Sequence, residues 1–181
     1  LPMTPVQILW INLILAGTLG LVLAFEPSEP GVMARKPRRA DAGLLTPFMV
    51  WRIALVSVLF MAISLGVFFW TLGQGREVEV ARTMVVNQLV VLEIFYLFSV
   101  RYLHMTSFTL TGVKGTGPVL GAIAVVVVGQ LAFTYLPVMN RIFESRPLGL
   151  LDGVVIILLG VLLLAVLEVE KHFLRDRFPD D

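Results

Sequence analysis

Between Pro5 and Phe25 no side chain carries a charge, and roughly 20 mostly apolar residues are what a helix needs to cross about 30 Å of hydrocarbon. Runs of the same kind recur at about 47–72, 83–100, 118–136 and 148–167. With 57% hydrophobic residues and a mean hydropathy of +0.90, the chain is too apolar for a soluble domain of its size. Lipid offers no hydrogen bonds to an open backbone, so each run must be a helix. The expected fold is an all-α integral membrane protein with five transmembrane helices. Zero cysteines remove disulfides and thiolate metal sites, and two histidines leave little scope for an imidazole-rich site. Leu1-Pro2-Met3 has no basic region leading into a short apolar core, so it is not read as a signal peptide. The chain reads as a piece of something longer.

The first run is interrupted by Asn12, Gly17 and Gly20. An amide in lipid must find a partner, and glycine lets a helix loosen and turn carbonyl oxygens toward a protected cavity. Two readings are open: the segment lines an ion path, or Asn12 hydrogen-bonds a neighbouring helix across a close glycine contact. The third run is the least hydrophobic, with Asn87, Gln88 and Glu93, and Tyr96 lies three residues on from Glu93 on the same helical face. A carboxylate inside a span is by default a functional candidate. Its alternative is a protonated acid hydrogen-bonded between helices. Gln7, Gln88 and Gln130 are read as interhelical hydrogen bonders, and Asp152 as a carboxylate at a helix N-terminus in preference to an ion ligand.

Charge placement sets the orientation. The loop 26–46 carries Arg35, Lys36, Arg38 and Arg39 among several prolines. Beside a membrane span this is read as a cytoplasmic loop, not as a nucleic-acid site. With that loop inside, Arg52, Arg101, Lys114, Lys171, Arg175 and Arg177 join it, for ten bases, while Arg76, Arg82, Arg141 and Arg146 fall outside; together they are all 14 Lys and Arg. The N-terminus is then outside and the C-terminus cytoplasmic, and the expected location is the plasma (inner) membrane. Trp51 and Trp70 sit at the two ends of the second run, where an interfacial belt places aromatics. The tail from Glu168 to Asp181 is expected to be solvated.

The run Pro5-Val6-Gln7-Ile8-Leu9-Trp10-Ile11-Asn12-Leu13, followed by Ala24-Phe25-Glu26-Pro27 and by Met33 with Arg35-Lys36-Pro37-Arg38, resembles the sixth transmembrane helix and next cytosolic loop of calcium-pump-like (type II) P-type cation-transporting ATPases. Leu92-Glu93-Ile94-Phe95, with Ser99 beyond it, resembles their eighth helix. The resemblance implies that residues 1–181 are helices six to ten of a ten-helix transport domain. It further implies that Asn12 and Glu93 are ligands of the transported cation. Leu15 and Ala16 stand where the family offers a hydroxyl and an aspartate. That departure argues against a two-calcium site, because Ca²⁺ takes six to eight oxygens, several from carboxylates.

The resemblance also implies partners: the lipid bilayer, the preceding helices and cytosolic domains of the same pump, and the cation. The parent pump is expected to use ATP and Mg. No Asp-Lys-Thr-Gly phosphorylation motif or phosphate-cradling glycine loop occurs within the 181 residues, so neither cofactor is assigned to them and no residue is read as catalytic. The competing reading is an accessory or structural membrane subunit with no ion path, in which Asn12 and Glu93 need not face one another.

Overall fold

The computed structural model describes residues 1–22, 24, 47–101 and 117–174, and among these every regular element is helical. The basic loop 26–46 therefore lies outside the described residues. So do the bases of the segment 102–116 and of the last seven residues.

Helix α1 (Pro5–Ile14) begins where the sequence says a helix should. Pro5 occupies the first helical position, where its missing N–H costs nothing. Thr4 Oγ1 accepts from the Gln7 amide at 3.3 Å while Gln7 Oε1 accepts from the Thr4 amide at 3.0 Å, a reciprocal cap. The winding then changes. Leu15–Gly20 is a π-helical turn containing both Gly17 and Gly20, and π turns within α-helices are frequent at functional sites. The first apolar run is thus a ten-residue α-helix continued by six π residues.

Four longer helices follow, with one short one between the last two. They are α2 (Pro47–Gly73), α3 (Val78–Arg101), α4 (Gly117–Tyr135), α5 (Pro137–Phe143) and α6 (Leu150–Leu174). By length and composition α2, α3, α4 and α6 can each cross a membrane. The α2–α3 turn is made by Gly75, whose φ of +74° suits a residue without a side chain. Pro137 stops α4 and starts α5.

Helix α3 is the hub. Half of its membrane-length window is buried, against 22% for α2 and 28% for α4 and α6. This explains why its mean hydropathy, 1.7, is the lowest of the four: a helix surrounded by protein need not be apolar all round. One face of α3 (Ala81, Met84, Val85, Leu92) packs with Val56, Val67 and Phe68 of α2 and with Ile156, Leu163 and Leu167 of α6. The opposite face (Val86, Val90, Leu97) meets Trp10 and Ile14 of α1 and Val119, Val126 and Phe133 of α4.

Two ion pairs tie α2, α3 and α6 together at opposite ends. Arg52 near the start of α2 pairs with Glu170 near the end of α6 at 2.5 Å and donates to Ser99 Oγ near the end of α3 at 2.8 Å. At the other end Arg76 grips Asp152 with both guanidinium nitrogens, at 2.6 and 2.7 Å. The paired carboxylate holds the Arg76 guanidinium above its ordinary value. Asp152 Oδ2 also accepts the Gly149 amide at 2.9 Å, so it satisfies its own helix start and anchors the α2–α3 turn.

The pairing of Glu170 corrects one expectation. Glu168 to Leu174 continue α6, and Glu170 is buried, not solvated; the buried guanidinium of Arg52 supplies the counter-charge that such burial requires. A second correction concerns Gln88. It is fully buried, yet neither amide atom has a hydrogen-bond partner among the described residues, so it is not the interhelical bonder the sequence implied. Gln7 and Gln130 do bond between helices: Gln7 Nε2 donates to the Phe143 carbonyl at 2.9 Å and Gln130 Oε1 accepts from Trp10 Nε1 at 3.2 Å.

Candidate cation site

Helix α1 is held firmly over its first half. Trp10 stacks on Phe133 with ring centroids 5.8 Å apart and lies tilted against Phe143 at 5.2 Å. Together with the Gln7 and Gln130 hydrogen bonds, these rings fix that half of α1 to α4 and α5. Beyond Ile14 the contacts change character. Thr18 Oγ1 donates to the Ile14 carbonyl, a side-chain bond that accompanies the altered backbone pattern of the π turn.

Between this segment and α3 lies a cavity of about 370 Å³, lined on one side by Ile11, Asn12, Leu15, Ala16 and Gly20 and on the other by Glu93, Tyr96, Leu97 and Val100. Since a water molecule occupies about 30 Å³ of liquid, the space admits an ion with several waters. Asn12 and Glu93, 81 positions apart, thus share one cavity. So do Leu15 and Ala16, which bring alkyl groups and no ligand oxygen to its wall. Tyr96 lines the cavity with Glu93, as their spacing on one helical face predicts, while its ring meets Phe60 edge-on at 6.1 Å.

Among the described residues neither the Asn12 amide nor the Glu93 carboxylate has a side-chain hydrogen-bond partner, although nearby polar groups such as Asn87 and Thr134 bond to each other at 3.0 Å. Among the described residues, the interhelical bond demanded by the alternative reading of each residue is not made. No cluster of three or more His, Cys, Asp or Glu that could hold a metal occurs among the described residues. The lining residues with side-chain oxygens are Asn12, Glu93 and Tyr96, so an ion in the cavity would need water or other protein to complete its shell.

Sequence reasoning did not find the supports of the site. The Trp10–Gln130 bond and the aromatic group of Trp10, Phe133 and Phe143 depend on helix rotation and on the α4–α5 corner. Nothing in residue spacing couples positions 120 or more apart. The only available signal was a tryptophan and a glutamine inside apolar runs, each needing a partner for its polar atom.

Membrane-length helices around a hub, with a largely apolar cavity beside a π-wound segment that brings together one amide and one carboxylate, define a polytopic membrane protein with a small candidate site. Sequence comparison gives the family. The family described as "Cation transporting ATPase, C-terminus" matches residues 1–173. The "Probable cation-transporting ATPase F" of Mycobacterium tuberculosis is 44% identical over 150 residues, covering 83% of this chain and 16% of that protein. The "Cation-transporting ATPase pma1" of a Synechocystis strain is 34% identical over 154 residues, covering 82% of this chain and 17% of its own length. The human "Calcium-transporting ATPase type 2C member 1" is 27% identical over 176 residues, covering 97% and 19%. The chain belongs to the cation transporting ATPase C-terminal family, and it spans about a sixth of the length of the first two of these relatives. This is the membrane part of a P-type cation ATPase and not an accessory subunit.

Proposed function

We propose that this chain forms the support part of the membrane domain of an ATP-driven cation pump and that Asn12 and Glu93 are ligands of the transported cation. The observation that carries the reading is their shared cavity, in which neither side chain has a hydrogen-bond partner among the described residues. A carboxylate inside a membrane helix is expensive, and a cation in the cavity would offset that cost. The π turn beside Asn12 favours the same use, because irregular backbone at membrane depth is tolerated where it lines a polar cavity.

With Leu15 and Ala16 on the wall, this chain supplies few of the oxygens that Ca²⁺ takes. A monovalent cation, a single divalent ion completed by ligands from elsewhere in the pump, or proton-coupled exchange suits the charge present. ATP and Mg would serve the complete protein at residues other than these 181. The partners are the lipid bilayer, the remaining helices and the cytosolic domains of the pump, with the loop 26–46 coupling them. The proposed location is the plasma (inner) membrane, with the N-terminus outside and the C-terminus in the cytoplasm.

The test is ion-dependent phosphorylation of the full-length protein from ATP. Glu93→Gln keeps size and hydrogen-bonding capacity but removes the charge, and is expected to lower apparent ion affinity roughly ten- to a hundredfold, as loss of an interaction of about 1.5–3 kcal/mol implies. Expression should be unaffected. Unchanged affinity together with lower thermal stability would make Glu93 a structural group.

A further inference from the structure

The two helices that carry Asn12 and Glu93 each rest in a notch left by a glycine on the helix behind. A Cβ placed on Gly129 of α4 would come well within 3.0 Å of Ile14 Cδ1 and 3.6 Å of Trp10 Cζ2. A Cβ placed on Gly160 of α6 would stand 2.5 and 2.7 Å from Cδ2 and Cε2 of Phe95 and 2.9 Å from Val91 Cγ1. Carbon atoms do not approach that closely, so any side chain at either position must displace its neighbour. Ile14 lies two residues past Asn12 and directly precedes the π turn; Phe95 lies two residues past Glu93. By contrast, a Cβ on Gly121 of α4 or Gly153 of α6 meets nothing within 4 Å.

We infer that Gly129 and Gly160 are positioning residues for the cation site: they set how closely α1 and α3 seat on α4 and α6, and hence the gap between Asn12 and Glu93 across the cavity. This rests on the reading of that cavity as a cation site. Ile14 has little freedom to turn aside, because it is buried in one cluster with Trp10, Val126 and Phe133. The Phe95 ring is rigid, and Val91 shares its notch. Interiors are packed densely enough that an added methyl is relieved by moving side chains and backbone. The backbone nearest to move carries the ligands.

Gly129→Ala in the full-length protein is therefore expected to lower apparent ion affinity by roughly tenfold, since displacing a positioned group by about 1 Å can cost up to about a hundredfold. The maximal phosphoenzyme level at saturating ion should hold, while the thermal midpoint should fall modestly because the added methyl overpacks the interior. Adding Ile14→Val removes the Cδ1 atom in conflict and should restore affinity, whereas Gly121→Ala on the same helix should leave it unchanged. Gly160→Ala should act like Gly129→Ala.

Three results would overturn the inference. Normal affinity in Gly129→Ala and Gly160→Ala, while Glu93→Gln still weakens binding, would leave the site in place but detach it from the notches. A loss of expression or stability in Gly129→Ala that Ile14→Val fails to repair would assign the glycine to bundle assembly alone. No effect of Glu93→Gln itself would remove the site that the glycines are said to position.

Discussion

Gln88 and Glu93 show how two polar residues five positions apart on one helix come to differ. Glu93 opens onto the cavity, whereas Gln88 is fully enclosed and both of its amide atoms go without a partner among the described residues. An unsatisfied buried amide costs about 1–3 kcal/mol. Gln88→Leu, close in volume, is accordingly expected to raise the thermal midpoint of the purified protein and to leave ion affinity untouched. A fall in stability would mean that the amide has a partner, such as a trapped water. At this scale the sequence was informative where a polar residue interrupts an apolar run: Asn12 and Glu93 stood out as candidates, and they line one cavity. It was silent where a role depends on which way a helix is turned. The Arg52–Glu170 pair joins residues 118 positions apart, and Gln88 looks no different from Gln130 in sequence.

Helix boundaries were legible wherever backbone chemistry imposes them. Pro5 and Pro47 each open a helix, and the glycines at 73 and 75 close α2, whereas the segment from Pro137 to Pro147 reads as a loop in sequence and the structure forms the short helix α5 there. The π turn was legible only as a place where Gly17 and Gly20 permit loosening; which hydrogen bonds replace the α pattern is decided by packing against α3 and α4. The end of α6 was missed because Glu168, Glu170 and Lys171 read as a solvated tail unless Arg52 is known to wait beside them. The Arg52–Glu170 pair yields a prediction about how α2, α3 and α6 hold together. Arg52→Met strands a buried carboxylate, and removing one partner of such a pair costs about 3–5 kcal/mol. The double change Arg52→Met with Glu170→Leu should recover most of that loss in thermal unfolding of the detergent-solubilised protein. Equal destabilisation by single and double variants would show that the pair contributes as a pair and not merely as two burdens.

For the whole molecule, the two ion pairs give a topological constraint independent of charge counting. The start of α2 and the ends of α3 and α6 meet at Arg52, Ser99 and Glu170, while the α2–α3 turn meets the start of α6 at Arg76 and Asp152. Joined in this way, α2 runs antiparallel to both α3 and α6, which run in the same direction, and the excess of bases in the loop 26–46 then proposes which face is cytoplasmic. Cysteines introduced singly at Ala34 and Gln74 should react with an impermeant reagent from opposite faces of the membrane, Ala34 from the cytoplasm. Reaction of both from one face would overturn the arrangement.

The central claim, that one cation is shared by a residue of α1 and a residue of α3, is tested most directly by a double-mutant cycle on ion affinity in the full-length protein. Asn12→Ala and Glu93→Gln should each weaken ion-dependent phosphorylation, and the combined variant should depart from additivity, because ligands of one ion lose a common partner. A coupling on the order of 0.5–3 kcal/mol is expected. Strict additivity, or ion affinity indifferent to both changes, would contradict the account.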